Sequence, residues 1–188
     1  MKQIKIYISL LFLGLFGASC ETEMIDRLDE FGLEQGGYIR TVTPLTNVFS
    51  LSKANMTGTK MEIVAEAVTP EFGALFSSYD LVVRFVDATP DNGNNSKPDA
   101  ALRSIPASSF SKDPVTNYPR LTISVTGKQA QDALALTDAQ ISSGDRFEIR
   151  GTMRLTNGRS FNASNTGLNI TGGAFYGSPF FYRLNILP

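Results

Sequence analysis

Histidine and tryptophan are missing from all 188 residues, cysteine occurs once, and charged side chains make up only 19%. Without histidine there is no imidazole general base, no Ser-His-Asp triad and no zinc site with imidazole ligands. Carboxylates, Ser, Lys and Tyr remain for chemistry, which closes most routes to an enzyme; a non-enzymatic role is expected. Without tryptophan the strongest stacking surface for sugars and cations is gone, leaving 13 Phe and 6 Tyr to substitute. A single cysteine permits no disulfide within a monomer. A domain of this size must then rest on its hydrophobic core, and its stability is expected to be insensitive to reductants. The balance of 17 basic and 18 acidic residues gives a net charge of −1, so there is no electrostatic reason to expect nucleic acid as a partner. Nothing in the sequence calls for a cofactor.

The one cysteine is informative by its position. Lys2 and Lys5 open the chain, an apolar stretch covers 6–16, and the small residues Gly17, Ala18 and Ser19 lead directly into Cys20. That stretch is shorter than the roughly 20 helical residues needed to span a hydrocarbon core, so it reads as a removable secretion signal. The junction resembles the lipobox of bacterial lipoproteins, in which the cysteine becomes the first mature residue and its sulfur carries a diacylglycerol. That family usually has Leu three residues before the cysteine; here Gly17 stands there, with Leu15 and Phe16 just upstream. The resemblance implies lipidation at Cys20, and at about 0.8 kcal/mol per buried acyl CH₂ two or three chains hold a protein on a membrane nearly permanently. Residues 1–19 are then a lipoprotein signal peptide.

Between the cysteine and Gly36-Gly37 acidic residues crowd together: Glu21, Glu23, Asp26, Asp29, Glu30 and Glu34 face only Arg27. Residues 20–37 read as an acidic tether. Met24, Ile25, Leu28, Phe31 and Leu33 fall at near-helical spacing, so both a short docking helix and a solvated spacer fit the pattern.

Residues 38–188 read as one all-β domain. Short runs rich in β-branched and aromatic residues alternate with Gly, Pro, Asn and Asp. Strands are predicted over 38–43, 48–52, 60–69, 79–87, 120–126, 146–155, 160–163 and 180–187. In the 146–155 run Phe147, Ile149, Gly151, Met153 and Leu155 alternate with Glu148, Arg150, Thr152 and Arg154, the period-two mark of one buried and one wet face. Asn157-Gly158 then predicts a type I′ hairpin turn with both central residues at positive φ. The run 128–136, with Ala130, Ala133, Leu134 and Leu136, fits one short connecting helix. Seven or eight strands without βα alternation point to an immunoglobulin-like two-sheet β-sandwich.

Candidate chemistry is sparse. The loop 87–99 is rich in oxygen ligands, but its order does not follow the EF-hand pattern, and Asn, Gly, Pro and Asp are also what a long surface turn uses. No metal is expected. Glu62 and Glu66 share a strand face and Glu148 lies in another strand; a glycosidase would need two such acids across a sugar, whereas alternation assigns these three to the solvent side. Gly172-Gly173 precedes an aromatic strand rather than a helix and so lacks a phosphate-binding dipole. Aromatic area concentrates near the C-terminus. Phe180, Tyr182, Leu184 and Ile186 share the core face of the last strand, while Phe175, Tyr176 and Phe181 form a candidate patch for a glycan, a peptide or another protein.

The segments Cys20-Glu21-Thr22-Glu23, Tyr38-Ile39-Arg40-Thr41, Tyr79-Asp80-Leu81-Val82-Val83, Gly144-Asp145-Arg146-Phe147-Glu148 and Gly172-Gly173-Ala174-Phe175 resemble those of small surface lipoproteins of Bacteroidetes. Such proteins occur beside SusC/SusD-type nutrient importers and are similar to the immunoglobulin-like N-terminal domain of SusE-type proteins. The resemblance implies an outer-membrane, cell-surface location with a SusC/SusD-type transporter as partner, and no catalytic residue. SusE-type proteins hold starch on additional Trp-rich domains, for which this chain has neither the length nor the Trp. The leading expectation is an accessory or ligand-capture component of an importer; the alternative is an adhesin or structural surface protein.

Overall fold

A computed structural model describes residues 36–44, 50–171 and 180–188. Cys20, the signal, the tether up to residue 35, Phe175 and Tyr176 lie outside the described residues.

The body is mostly β. In chain order the strands are β1 (Tyr38–Pro44), β2 (Ser50–Ser52), β3 (Lys60–Val68), β4 (Phe76–Val86), β5 (Lys97–Pro106), β6 (Ser111–Lys112), β7 (Pro119–Thr126), β8 (Arg146–Leu155), β9 (Ser160–Phe161) and β10 (Phe181–Leu187). Helix is confined to the single turn α1 (Pro70–Gly73), to α2 (Gly127–Ala133) and to the short α3 (Leu168–Thr171), besides four 3₁₀ turns among the described residues. The smaller sheet has the order β1-β3-β7-β6; the larger runs β2-β10-β8-β4-β5, with β9 paired to β8. All pairs are antiparallel except β2 with β10.

Alternation builds the core. From the smaller sheet Ile39, Met61, Ile63, Ala65, Ala67, Ile123 and Val125 turn inward; from the larger, Tyr79, Leu81, Val83, Phe85, Phe147, Ile149, Met153, Tyr182, Leu184 and Ile186 do, and none is more than 2% exposed. They belong to one continuous apolar cluster, each large side chain contributing about 1.5–3 kcal/mol by leaving water. Phe85 and Phe147 pack with ring centroids 5.3 Å apart. Two sheets sharing one core make the body sandwich-like.

The strand pattern read from the sequence reappears with five differences, one of them the two-residue β6, where the sequence predicts no strand. The 79–87 strand begins earlier, at Phe76, which pairs with Leu155. The 160–163 strand is only Ser160–Phe161, and the chain then turns because Asn162 Oδ1 accepts from the Ser164 backbone N–H and hydroxyl at 2.8 and 2.7 Å. Part of the loop 87–99 is strand: β5 starts at Lys97. Its Pro98, Asp99 and two Ala gave no strand signal, yet they suit a sheet edge, where Pro costs no ladder bond and charge discourages foreign pairing. The hairpin after β8 forms, with Met153 opposite Phe161, but not through a type I′ turn. Only Gly158 has positive φ, at 84°. A three-residue loop, 156–158, is closed by Leu155 N–H to Arg159 O at 2.9 Å, the type I turn plus left-handed Gly that three-residue hairpins favour.

The predicted helix starts at Gly127 and ends at Ala133. Its start is a capping box: Thr126 Oγ1 accepts from Gln129 N–H at 3.1 Å, and Gln129 Oε1 accepts from Thr126 N–H at 3.0 Å.

Candidate functional site

The outer faces of the two sheets carry the polar chemistry. On the smaller sheet Arg40, Glu66 and Arg120 form one cross-strand row. Glu66 pairs with Arg40 and, at 2.6 Å, with Arg120, and it accepts from the Thr116 hydroxyl at 2.8 Å. Arg120 also reaches Asp113 Oδ2 at 2.6 Å. Two guanidiniums thus meet two carboxylates, and the row is closed.

A second such row crosses the larger sheet. Register sets Glu148 on β8 directly between Arg84 on β4 and Arg183 on β10. Along β8 the period of two adds Arg146 and Arg150 on the same face. Four arginines therefore surround one glutamate. Arg84 Nη2 and Arg150 Nη2 approach Glu148 Oε2 at 2.7 and 3.0 Å, and Arg146 Nε approaches Oε1 at 3.0 Å. Arg150 also pairs with Asp99 Oδ1 on β5 at 2.6 Å. Arg183 is exposed and has no partner among the described residues. Burial pushes the Glu148 carboxyl up, but the hydrogen bonds of Arg146 and Arg84 and the Arg84 charge outweigh it and leave it below its ordinary value. Glu148 stays ionised and fixes the arginines that point at it.

One row further along, Val82, Arg150 and Phe181 lie abreast. The Arg150 guanidinium carbon sits 5.8 Å from the centre of the Phe181 ring, a cation–π distance. Beside it opens a groove of about 410 Å³, lined by Val82, Asp99, Arg150, Thr152, Asn162 and Ser164 among others. It combines an apolar floor with hydroxyl, amide, carboxylate and guanidinium groups. Neither the Thr152 hydroxyl nor the Asn162 amide nitrogen makes a hydrogen bond among the described residues. Groups of this kind suit a hydroxyl-rich ligand held without covalent chemistry.

Of the aromatic patch read from the sequence, Phe181 is half-buried on the outer face under the Arg150 guanidinium, and the aromatic residue that lines the groove is its neighbour Phe180. Phe175 and Tyr176 lie outside the described residues. Phe180, Tyr182, Leu184 and Ile186 are buried in the core, although Phe180 immediately precedes the strand.

Of the three glutamates assigned to solvent by alternation, two need correction. Glu66 and Glu148 do face outward, yet they are 0% and 3% exposed because arginine side chains close over them; Glu62 remains partly exposed and pairs with Lys60. Alternation gives the face of a residue but not what covers it. Glu62 and Glu66 stand on the smaller sheet and Glu148 on the larger, so Glu148 does not flank a substrate position in common with either of them.

The oxygen-rich loop spends its ligands on itself. Asp87 accepts from Thr89 N–H at 3.1 Å and Asn95 N–H at 2.8 Å; Asn94 accepts from Ser96 N–H at 3.1 Å. Asp145, only 1% exposed, anchors the loop by accepting from Ala88 N–H, the Thr89 hydroxyl and Ser142 N–H at 2.9, 2.9 and 2.7 Å. Among the described residues no cluster of three or more acidic, cysteine or histidine side chains is placed to hold a metal ion.

No protein-family model matches the sequence, and no curated protein matches it significantly. Among solved structures the chain is similar to Spo0M, a sporulation control protein from Bacillus subtilis, with a TM-score of 0.36 and 10% identity. That likeness covers 81% of this chain and 49% of the other, so the chain spans about half the length of Spo0M.

Proposed function

We propose that this chain is a non-enzymatic lipoprotein of the outer-membrane surface, anchored through lipid on Cys20, and that its body is an immunoglobulin-like sandwich serving as an accessory or ligand-capture component of a SusC/SusD-type nutrient importer. The observation that carries the capture role is the groove lined by Arg150, Thr152, Asn162 and Ser164, where neutral hydrogen-bonding side chains flank a guanidinium that itself lies over the Phe181 ring. Such a surface binds by many weak polar contacts, which fits a glycan or a peptide handed on to a transporter. The acidic carboxylates that would serve a hydrolase are locked by arginines on opposite sheets. The location rests on the sequence before Cys20.

Two measurements test this reading. Cys20→Ser is expected to move the protein from the membrane fraction to the soluble fraction; unchanged fractionation refutes the anchor. Affinity capture of the lipidated protein from detergent-solubilised membranes is expected to retain a SusC- or SusD-type component, and its consistent absence defeats the importer reading.

A further inference from the structure

The two outer-face rows differ in one respect. On the smaller sheet Arg40 and Arg120 are matched by Glu66 and Asp113. Among the described residues Arg84, Arg146, Arg150 and Arg183 on the larger sheet are answered by Glu148 and Asp99, which leaves two of these positive charges uncompensated there. This excess sits on a chain whose overall charge is −1, so it is a local feature and not a consequence of composition. A purely structural row needs no such surplus, as the smaller sheet demonstrates.

The surplus is also accessible. The Arg84 side chain is 40% exposed and Arg183 is exposed without a partner among the described residues, while Glu148 beneath them is 3% exposed. Arg84 and Arg183 lie on strands on either side of β8, about 9.6 Å apart with Glu148 between them, and about 6.8 Å along the strands from the row of Arg150 and Phe181. A ligand lying in the groove therefore reaches both. The groups needed for an anion, forked guanidinium donors, adjoin the groups needed for hydroxyls, Thr152 and Asn162.

Building on the capture reading, we propose that the ligand is an acidic glycan: a carboxylate or sulfate group sits on the guanidiniums of Arg183 and Arg84, and the neutral hydroxyls of the sugar enter the groove beside Arg150 and Phe181. The arrangement selects for charge through Arg183, which no described residue engages, and for sugar hydroxyls through Thr152 and Asn162, with Phe181 supporting the Arg150 guanidinium at the groove's side. Because the anion site is at the surface, binding weakens with salt as the Debye length shrinks from about 10 Å at 0.1 M to 3 Å at 1 M.

The test measures affinity of the full-length protein in detergent for polygalacturonate, dextran sulfate, amylopectin and dextran. Either acidic polymer is expected to bind more tightly than both neutral ones. Arg183→Gln is expected to weaken that binding about tenfold without altering the melting temperature, since Arg183 is exposed and unpaired among the described residues. Lys112→Gln, an equal charge change on the smaller sheet, is expected to leave affinity unchanged. Preference for polygalacturonate identifies a carboxylate ligand, and preference for dextran sulfate a sulfate ester. Equal loss from Lys112→Gln and Arg183→Gln reduces the effect to bulk charge and overturns the proposal. Neutral polymers held as tightly as acidic ones, with the affinity lost in Phe181→Ala, overturn the acidic preference and leave the capture reading intact. Retention of none of the four overturns the glycan assignment, while the importer reading still stands or falls on the transporter capture.

Discussion

The hydroxyl oxygens of Thr41 on β1 and Tyr182 on β10 lie 2.9 Å apart, so a hydrogen bond joins the two sheets through the core. Tyr182 in turn hydrogen-bonds Tyr79 on β4, making a chain of three hydroxyls in which Tyr79 is 0% and Tyr182 2% exposed. Each is satisfied mainly by its neighbours. Tyr182→Phe removes the middle member and leaves the other two without it, which is expected to cost about 2 kcal/mol. Urea denaturation, with the slope checked for constancy, measures it.

The same pair sets the alkaline limit. Burial pushes the Tyr182 hydroxyl up to about 12 and, together with the Tyr182 neighbour, pushes Tyr79 well above the ordinary value of 10.0. A group whose folded pKa is raised keeps its full contribution below the unfolded pKa and loses it as pH rises through the folded one. Stability from these tyrosines is therefore intact below pH 10 and declines between 10 and about 12. The urea midpoint is expected to fall across that window, less steeply in Tyr182→Phe. Tyrosinate absorbance from the buried pair appearing before any loss of structure would contradict this.

Glu148 governs the acid side. Its folded pKa lies below the ordinary 4.5, so its contribution is present above that value and lost as pH falls through the lowered one. Glu148→Gln leaves Arg84, Arg146 and Arg150 facing one another, and is expected to cost about 2 kcal/mol at neutral pH, less than a fully buried pair because those arginines are 29–40% exposed. The variant should also show a flatter dependence of stability on pH below 4.5. Thermal melts at neutral and acidic pH separate the two effects.

Most of the β body was legible because alternation is a local property. Phe147, Ile149, Met153 and Leu155 announce the core face of β8 in any register, and Phe181, Arg183 and Asn185 announce the outer face of β10. The arginine cluster was not legible. Glu148 meets Arg84 and Arg183 only because β8 lies between β4 and β10 in one particular register, and that depends on pairings across dozens of residues. Asp145 escaped notice for the same reason: its partners Ala88 and Thr89 are 57 and 56 residues away in sequence. β5 was missed for a local reason, since edge strands are selected against looking like strands.

Gly151 sits on the core face of β8 for want of a side chain. A Cβ built there would stand 2.0 Å from the Tyr79 hydroxyl oxygen and 2.3 Å from its ring carbon Cζ, and Tyr79 has no exposed surface into which to retreat. Gly151→Ala is expected to destabilise the fold by about 3 kcal/mol. Chemical denaturation measures that loss; a variant as stable as the parent would mean that the Tyr79 ring does not lie over β8.

Within α1 two neighbouring positions predict opposite signs. Glu71, Phe72 and Gly73 have φ of 53°, 53° and 87°, three successive residues in the left-handed region that costs L-residues about 1–2 kcal/mol each. Phe72 offsets part of its cost through the Tyr118 ring, centroids 5.6 Å apart. Glu71 is exposed and makes no such contact among the described residues. Glu71→Gly is thus expected to stabilise the protein by about 1 kcal/mol, the relief of left-handed strain exceeding the entropy lost by a more flexible residue. Gly73→Ala should do the reverse: its Cβ would meet Pro119 Cδ at 2.3 Å at an already positive φ, and a ring atom cannot swing aside, so a loss of about 3 kcal/mol is expected. Paired thermal melts decide both. If the two substitutions shift the midpoint in the same direction, the turn does not have the left-handed geometry that Pro119 and Tyr118 pack against.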